Sequence, residues 1–255
     1  MLKEVELYWF SGTGNTLLAA QRLAGALRAG GIHVDFRSVE RHSPEKADTS
    51  RTLGICFPVA CFSTYPVVTR FISRLPRGNG TGVFMLDTMG GSSLGYPSVL
   101  HRVFREKGYH PLGACEIVMP SNFLPSKRDI LEAEKIEKGI EKAGAFGEAL
   151  LEGRADWKRI PCLPYLASGL FKHAWKSMAK RGTRYLVQRN LCTKCGLCEK
   201  LCPAANISME NYPIFGKNCE QCMRCVMFCP ADAIGYGSRQ FIRYRKAEPA
   251  DLLRN

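Results

Sequence analysis

The chain has 255 residues, which is enough for one large domain or two small ones with a proper hydrophobic core. Apolar residues make up 45% and charged residues 23%, and these proportions exclude wholesale disorder. The formal net charge is +13 and twelve residues are cysteine, so the position of the charge and the role of the thiols become the main questions.

The sequence predicts a cytoplasmic protein. Its longest apolar runs, such as residues 54–61, are far shorter than the ~18 residues that a membrane-spanning helix needs. The N-terminus is acidic where a signal peptide would be basic, and it leads directly into a strand pattern. In that compartment cysteines stay reduced, so clustered cysteines indicate metal ligands rather than disulfides.

Strand and helix patterns alternate over residues 1–152. The run at 53–59 is apolar throughout, as expected for a parallel strand covered on both faces. This alternation predicts a three-layer α/β domain over residues 1–152. The predicted strands are 5–10, 33–39, 53–59, 82–86 and 116–119, and the predicted helices are 17–27, 67–75, 98–107 and 129–152.

Composition changes after residue 152. Residues 153–185 form a basic amphipathic linker, in which apolar residues from Leu166 to Met178 alternate with lysines at roughly helical spacing. One interpretation is a helix on a membrane surface, which would use residues 163–181. The other is an interdomain helix that packs its apolar stripe on one domain, and this is favoured because two domains must be held together.

The positive charge belongs to the C-terminal part. Residues 1–155 carry a net charge of +3, whereas residues 156–255 carry +10. Residues 239–255 form a basic tail. No nucleic-acid-binding motif accompanies the charge, so we expect no nucleic-acid partner.

Eight of the cysteines form an internal repeat. The pattern CxxCxxCxxxCP begins at Cys192 and again at Cys219. Three cysteines at this spacing hold one corner each of a [4Fe–4S] cluster, and the fourth serves the other cluster. The first cluster is therefore predicted on Cys192, Cys195, Cys198 and Cys229, and the second on Cys219, Cys222, Cys225 and Cys202.

Zinc is the alternative metal, since it also binds CxxC pairs. However, two four-cysteine runs that each end in proline fit zinc poorly. Residues 186–238 resemble the bacterial two-cluster ferredoxins, which have this spacing. The resemblance implies a small α+β domain that carries both clusters.

A polar glycine loop follows the first predicted strand and precedes a helix. Such a loop binds phosphate through backbone N–H groups and hydroxyls, although a polar glycine loop can also be only a turn. It has no lysine, so it is not a Walker loop, and Leu17 stands where GxGxxG needs its third glycine. The loop residues are Ser11, Gly12, Thr13, Gly14, Asn15 and Thr16.

This loop resembles the FMN-phosphate loop of flavodoxins, whose pattern [ST]xTGNT it matches throughout. The resemblance implies a flavodoxin-like doubly wound parallel sheet of order 2-1-3-4-5, with FMN at the carboxyl ends of the strands. It also implies that two further loops flank the flavin ring. Their candidate residues are Pro58, Val59, Ala60, Phe62, Tyr65, Thr88, Met89, Gly90, Gly91 and Tyr96.

The aromatic residue that stacks on the flavin is left open among Phe62, Tyr65 and Tyr96, and each of these also suits ordinary packing. Relatives often have an aromatic residue directly after the Pro-Val of the first ring loop, whereas this chain has Ala60 there. Cys61 lies in the same loop, and Cys56, Cys115 and Cys162 are interpreted as small buried residues.

The chain as a whole resembles the flavodoxin–ferredoxin fusion family of anaerobic prokaryotes, which also has the Met-Pro-x-Asn segment found at residues 119–122. The resemblance implies an electron carrier that passes low-potential electrons between two [4Fe–4S] clusters and FMN. It implies redox partner proteins, expected to be acidic because the C-terminal part is basic. Alternatives are an FMN-dependent reductase of a small organic acceptor, a dedicated partner of one oxidoreductase, and an iron–sulfur sensor.

Overall fold

The structure is a computed structural model that describes residues 2–122, 129–158, 185–236 and 243–253. The predicted linker helix and Cys162 lie outside the described residues. None of the helices in the described part of the chain has the length and apolarity that a bilayer span requires.

The first domain is built on a parallel sheet with the strand order β2-β1-β3-β5-β6. A two-residue strand, β4, pairs antiparallel with the end of β3. Counting only the parallel strands, this is the order 2-1-3-4-5, so the predicted flavodoxin-like topology is confirmed. The strands are β1 (Glu4–Trp9), β2 (His33–Ser38), β3 (Thr52–Ala60), β4 (Ser63–Thr64), β5 (Gly82–Met89) and β6 (His110–Val118).

Helices cover both faces of this sheet, as the sequence predicts. Alternate residues of β1 point to opposite faces of the sheet. Leu7 therefore packs with the helices at residues 15–29 and 129–151, and Tyr8 packs with the helices at residues 66–74 and 96–106. The buried residues accordingly form two apolar clusters, one on each side of the sheet. The helices are α1 (Asn15–Ala29), α2 (Pro66–Arg74), α3 (Tyr96–Glu106) and α4 (Asp129–Leu151).

The edge strand β6 differs from its prediction, because it begins at His110 rather than at residue 116. Pro111 and Gly113 interrupt the apolar pattern, but an edge strand tolerates both since one of its sides needs no partner. Residues 154–158 pack beside this edge: the amide of Ala114 donates to the carbonyl of Asp156 at 3.0 Å. The indole of Trp157 is buried and donates to the carbonyl of Pro97 at 2.9 Å.

Residues 185–236, called here the cysteine-rich segment, form short elements in a repeated order. Its strands form two antiparallel pairs, β7 with β10 and β8 with β9. Helix α6 lies within the second cysteine run and strand β10 follows that run, at the same positions that α5 and β8 have relative to the first run, so the sequence repeat is also a structural repeat. The elements are β7 (Tyr185–Val187), α5 (Leu197–Lys200), β8 (Ile207–Met209), β9 (Pro213–Phe215), α6 (Arg224–Met227) and β10 (Ile234–Tyr236).

The C-terminal residues return to the first domain. Helix α7 (Pro249–Leu253) buries Leu252 in the same apolar cluster as α1 and as Met223 and Met227 of the cysteine-rich segment. This shared cluster joins the α/β domain to the cysteine-rich segment. The described part of the predicted basic tail, residues 243–253, is therefore packed against the protein.

Candidate functional site

A cavity of about 300 Å³ lies at the carboxyl ends of β1, β3 and β5. The strand order reverses between β1 and β3, and the crevice at such a reversal is where doubly wound sheets bind ligands. The loops after these three strands, the segment after β6 and part of the cysteine-rich segment form its walls. Its lining comprises Ser11, Gly12, Thr13, Asn15, Thr16, Pro58, Val59, Ala60, Cys61, Tyr65, Thr88, Met89, Gly90, Met119, Pro120, Ser121, Asn122, Gln221 and Met223.

The glycine loop forms the end of the cavity at the start of α1. Gly14 has a left-handed backbone (φ 111°) as the N-cap of the helix, and its amide donates to Ser11 Oγ at 3.1 Å. The hydroxyls of Thr16 and Thr88 are 2.7 Å apart, which ties the loop to the end of β5. Buried hydroxyls and the free N–H groups of a helix start are suited to a phosphate group.

Most of the predicted flavin-site residues line this cavity. The exceptions are Gly14, Phe62, Gly91 and Tyr96. Gly14 packs on its other side against the C-terminal segment, where an added Cβ would overlap the carbonyl carbon of Lys246. Tyr96 is buried with its ring perpendicular to that of Phe57, at a centroid distance of 6.0 Å.

Tyr65 is the one of the three candidate stacking residues that lines the cavity. Its ring lies 5.4 Å from that of Phe10, and burial, followed by the nearby thiol of Cys222, raises the pKa of its hydroxyl. The hydroxyl is therefore neutral at ordinary pH. A neutral, buried aromatic ring suits the flat apolar surface of a flavin.

The cavity also includes residues that the sequence analysis does not assign to the flavin site. Ser121 and Asn122 follow β6, and the side-chain amide of Asn15 anchors this segment by donating to the carbonyl of Pro120 at 2.9 Å. Gln221 and Met223 belong to the cysteine repeat, where the spacing of the thiols hides any other function. The Met-Pro-x-Asn motif is a signal for the first pair, and the second pair has none.

The eight repeat cysteines line two small cavities. One is lined by Cys192, Cys195, Cys198 and Cys229, and the other by Cys202, Cys219, Cys222 and Cys225. Each cavity thus takes three cysteines from one repeat and the last cysteine of the other. These are the two groups that the spacing predicts. The cysteines within the described residues form no disulfides.

Backbone amides donate hydrogen bonds to several of the cysteine sulfurs. The amides of Asn206 and Ala233 donate to the sulfurs of Cys202 and Cys229 at 3.2 and 3.3 Å, and the two amides occupy equivalent positions in the repeat. Burial raises the pKa of the Cys222 thiol to about 12. A bound metal centre would offset this, because it stabilises thiolate over thiol.

The donor set of each group is four thiols around one cavity. Cysteine thiolates are the ligands that [4Fe–4S] clusters take, so these residues fit such a cluster. Among the described side chains, no group of three or more His, Cys, Asp or Glu is arranged to hold a single metal ion.

The glycine loop contacts the second cysteine group directly. A Cβ at residue 12 would lie 2.8 Å from the carbonyl oxygen of Cys222, so the two backbones touch at Gly12. The buried guanidinium of Arg224 donates to the carbonyl of Ser11 through Nε at 3.0 Å and Nη2 at 2.6 Å. The same group forms a bidentate ion pair with Glu40.

Asp87 is a buried acid in the strand that leads to the cavity. Burial, and then the neighbouring carboxylate of Glu116, raise the pKa of Asp87 well above its usual value. Neither carboxyl oxygen has a hydrogen-bond partner among the described residues. A protonated Asp87 avoids an unpaired charge in the core.

No protein-family model and no curated protein matches the chain. Solved flavodoxins are similar to the α/β domain. A flavodoxin from the domain Archaea has 12% identity over 58% of this chain and 98% of that one, with a TM-score of 0.43. The two-electron reduced flavodoxin of Megasphaera elsdenii has 21% identity over 55% and 98%, with a TM-score of 0.41. Oxidised Flavodoxin 2 of Bacillus cereus has 16% identity over 59% and 98%, with a TM-score of 0.44.

Proposed function

We propose that this chain is an electron-transfer flavo-iron–sulfur protein, with FMN in the large cavity and a [4Fe–4S] cluster in each cysteine-lined cavity. One observation carries the proposal: eight cysteines form two groups of four with the crossed ligand pattern of two-cluster ferredoxins, directly beside a cavity with a phosphate-type loop. Clusters exchange single electrons and a flavin stores one or two, so together they connect one-electron and two-electron redox partners.

The residues of this chain bind and tune these groups. The glycine loop presents buried hydroxyls and a helix start to the phosphate, and Tyr65 and Met89 offer apolar contacts to the ring. Amides that donate to cysteine sulfur stabilise the more negative, reduced state of a cluster and so raise its potential. The external partners are proposed to be electron-carrier proteins.

Cofactor analysis after anaerobic purification tests this proposal. We expect about eight irons, as many acid-labile sulfides and one FMN per chain. Zinc in place of iron, or a chain without flavin, would show that the proposal is wrong.

A matched pair of cysteine variants tests the ligand assignment. Cys225→Ala should lose iron and the absorbance of one cluster, because Cys225 lines the second cysteine cavity. Cys115→Ala should keep the full iron content, because Cys115 is buried in the core of the α/β domain. Full iron content in Cys225→Ala, equal to that of Cys115→Ala, would contradict the assignment.

A further inference from the structure

Residues 192–198 and 219–225, called here the first and second cysteine loops, share their left-handed backbone positions and the start of a short helix. Lys194 and Gln221 both have φ 58°, and Gly196 and Met223 have φ 72° and 65°. The two members of each pair occupy equivalent positions in the repeat, so the left-handed turns that curl the chain around the thiols are repeated. Differences between the two loops therefore lie in side chains and surroundings.

The surroundings of the two loops are opposite. In the first loop Thr193, Lys194 and Cys195 are exposed. Their counterparts in the second loop, Glu220, Gln221 and Cys222, are all buried against the α/β domain. One copy of the same motif thus faces solvent, and the other faces the cavity proposed for the flavin.

The side chains that distinguish the second loop make contacts with the α/β domain. Glu220 accepts a hydrogen bond from the amide of Val67 at 3.0 Å and pairs with Arg70 at 2.8 Å. Arg224, which replaces the Leu197 of the first loop, binds the glycine loop through Ser11.

Met223 shows this specialisation most clearly. A left-handed backbone costs a residue with a side chain ~1–2 kcal/mol, and glycine avoids this cost. The first loop has glycine at the equivalent position, Gly196, whereas the second has a buried methionine that lines the flavin-type cavity. Strain at such a position indicates that the side chain is retained for its contacts.

We infer that the second cysteine loop is the electron link to the flavin, with Met223 and Gln221 as flavin-contact residues, and that the first cysteine loop receives electrons from an external one-electron carrier protein. This inference rests on the proposed function and adds an order: external carrier, first cluster, second cluster, flavin. Transfer in the opposite direction passes through the same order.

The electron count of this order is simple. A reduced carrier protein would lose one electron at the first loop, and clusters held by the two groups of cysteines would pass that electron on with no net change in their own oxidation state. FMN held in the cavity would accept one electron per passage, so two passages, with one proton from solvent for the anionic hydroquinone or two for the neutral one, would complete its two-electron reduction.

Substitutions at equivalent positions of the two loops test the inference. Met223→Gly introduces the glycine that the first loop has at the equivalent position, and glycine adopts this left-handed backbone without strain. Both clusters should therefore remain, while the FMN dissociation constant rises by about tenfold or more. Gly196→Met is the matched control and should leave FMN affinity unchanged. Gln221→Ala and Lys194→Ala form a second pair with the same expectation: only Gln221→Ala weakens FMN binding.

A redox titration provides an independent measurement. FMN brings negative charge and excludes water next to the second cluster, so its binding should lower the potential of one cluster only. Cys195→Ser should change the potential and spectrum of the other, FMN-insensitive cluster. If Cys195→Ser instead alters the FMN-sensitive cluster, the proposed order is reversed and the inference is wrong.

These outcomes are separate from failure of the proposed function. A wild-type chain without eight irons or without FMN would overturn the function itself. If the wild-type chain holds all three cofactors but variants of the first and second cysteine loops behave alike, only the order inferred here is wrong.

Discussion

Arg224 and Glu40, which are far apart in the chain, form a bidentate ion pair in the contact between the second cysteine loop and the α/β domain, with N–O distances of 2.8 and 2.5 Å. The Arg224 side chain is 1% exposed and that of Glu40 is 15% exposed. Loss of one partner from a buried pair leaves the other charge without compensation. Arg224→Met should therefore lower the free energy of unfolding by about 3 kcal/mol, measured as a shift of the urea midpoint.

Two variants control this prediction. Arg74→Met breaks an ion pair with Glu45 in which both side chains are exposed, 66% and 46%, and it should cost less than about 1 kcal/mol. Adding Glu40→Gln to Arg224→Met should restore part of the stability, because the uncompensated charge is removed. Equal losses for Arg224→Met and Arg74→Met would contradict the role given to Arg224.

Gly12 marks the closest approach of the glycine loop to the cysteine-rich segment. In Gly12→Ala the new Cβ would meet the carbonyl oxygen of Cys222 at 2.8 Å, so the two backbones must separate. We expect weaker FMN binding and slower electron transfer between the second cluster and the flavin, measured by fluorescence titration and by stopped-flow absorbance.

Gly25→Ala is the control for Gly12→Ala. An added Cβ at residue 25 meets nothing within 4 Å, and the position lies inside α1. Alanine in a helix interior should stabilise the chain by about 0.5–1 kcal/mol and leave FMN binding unchanged. Normal FMN affinity in Gly12→Ala would show that the close contact is unimportant.

Tyr244 connects the C-terminal segment to the glycine loop. Its hydroxyl donates to Asn15 Oδ1 at 2.6 Å, and the amide nitrogen of Asn15 in turn donates to the carbonyl of Pro120. Tyr244→Phe removes the first of these bonds and should weaken FMN binding by about 1 kcal/mol, or roughly fivefold. Tyr212→Phe, in the cysteine-rich segment, keeps the ring that faces Lys194 and should bind FMN normally.

The free energy of unfolding should depend on pH through the buried carboxyl group of Asp87. Its pKa is raised in the folded chain by burial and then by Glu116, so the folded state holds a proton that the unfolded chain releases above about pH 4. The stability contributed by this group is complete below pH 4 and declines as the pH rises towards the folded pKa. Asp87→Asn stays neutral, so its stability relative to wild type should increase between pH 4 and 8 in thermal melts.

Asp48→Asn should show the opposite trend. Hydrogen bonds from the hydroxyl and amide of Ser50 lower the pKa of Asp48, so its contribution is present above pH 4 and is lost as the solution becomes more acidic. A stability difference for Asp87→Asn that does not change with pH would show that Asp87 is ionised in the folded chain.

The elements that the sequence predicted well are those with local causes. Apolar runs such as residues 53–59 and the thiol spacing after Cys192 are short patterns set by the geometry of a strand or a turn. The missed start of β6 has a local cause as well, because Pro111 and Gly113 hide a strand that only its edge position permits.

The sequence by itself determined the order of the α/β elements, the phosphate-type loop and the repeated spacing of the cysteines, because each is a pattern of residues close together in the chain. Only the tertiary structure decided which of two cysteine loops with equal spacing faces the glycine loop. That choice depends on pairs such as Arg224 with Ser11 and Gly12 with Cys222, whose members come from opposite ends of the chain. Contacts between such distant positions leave no periodic pattern, since they are set by how two finished surfaces pack together.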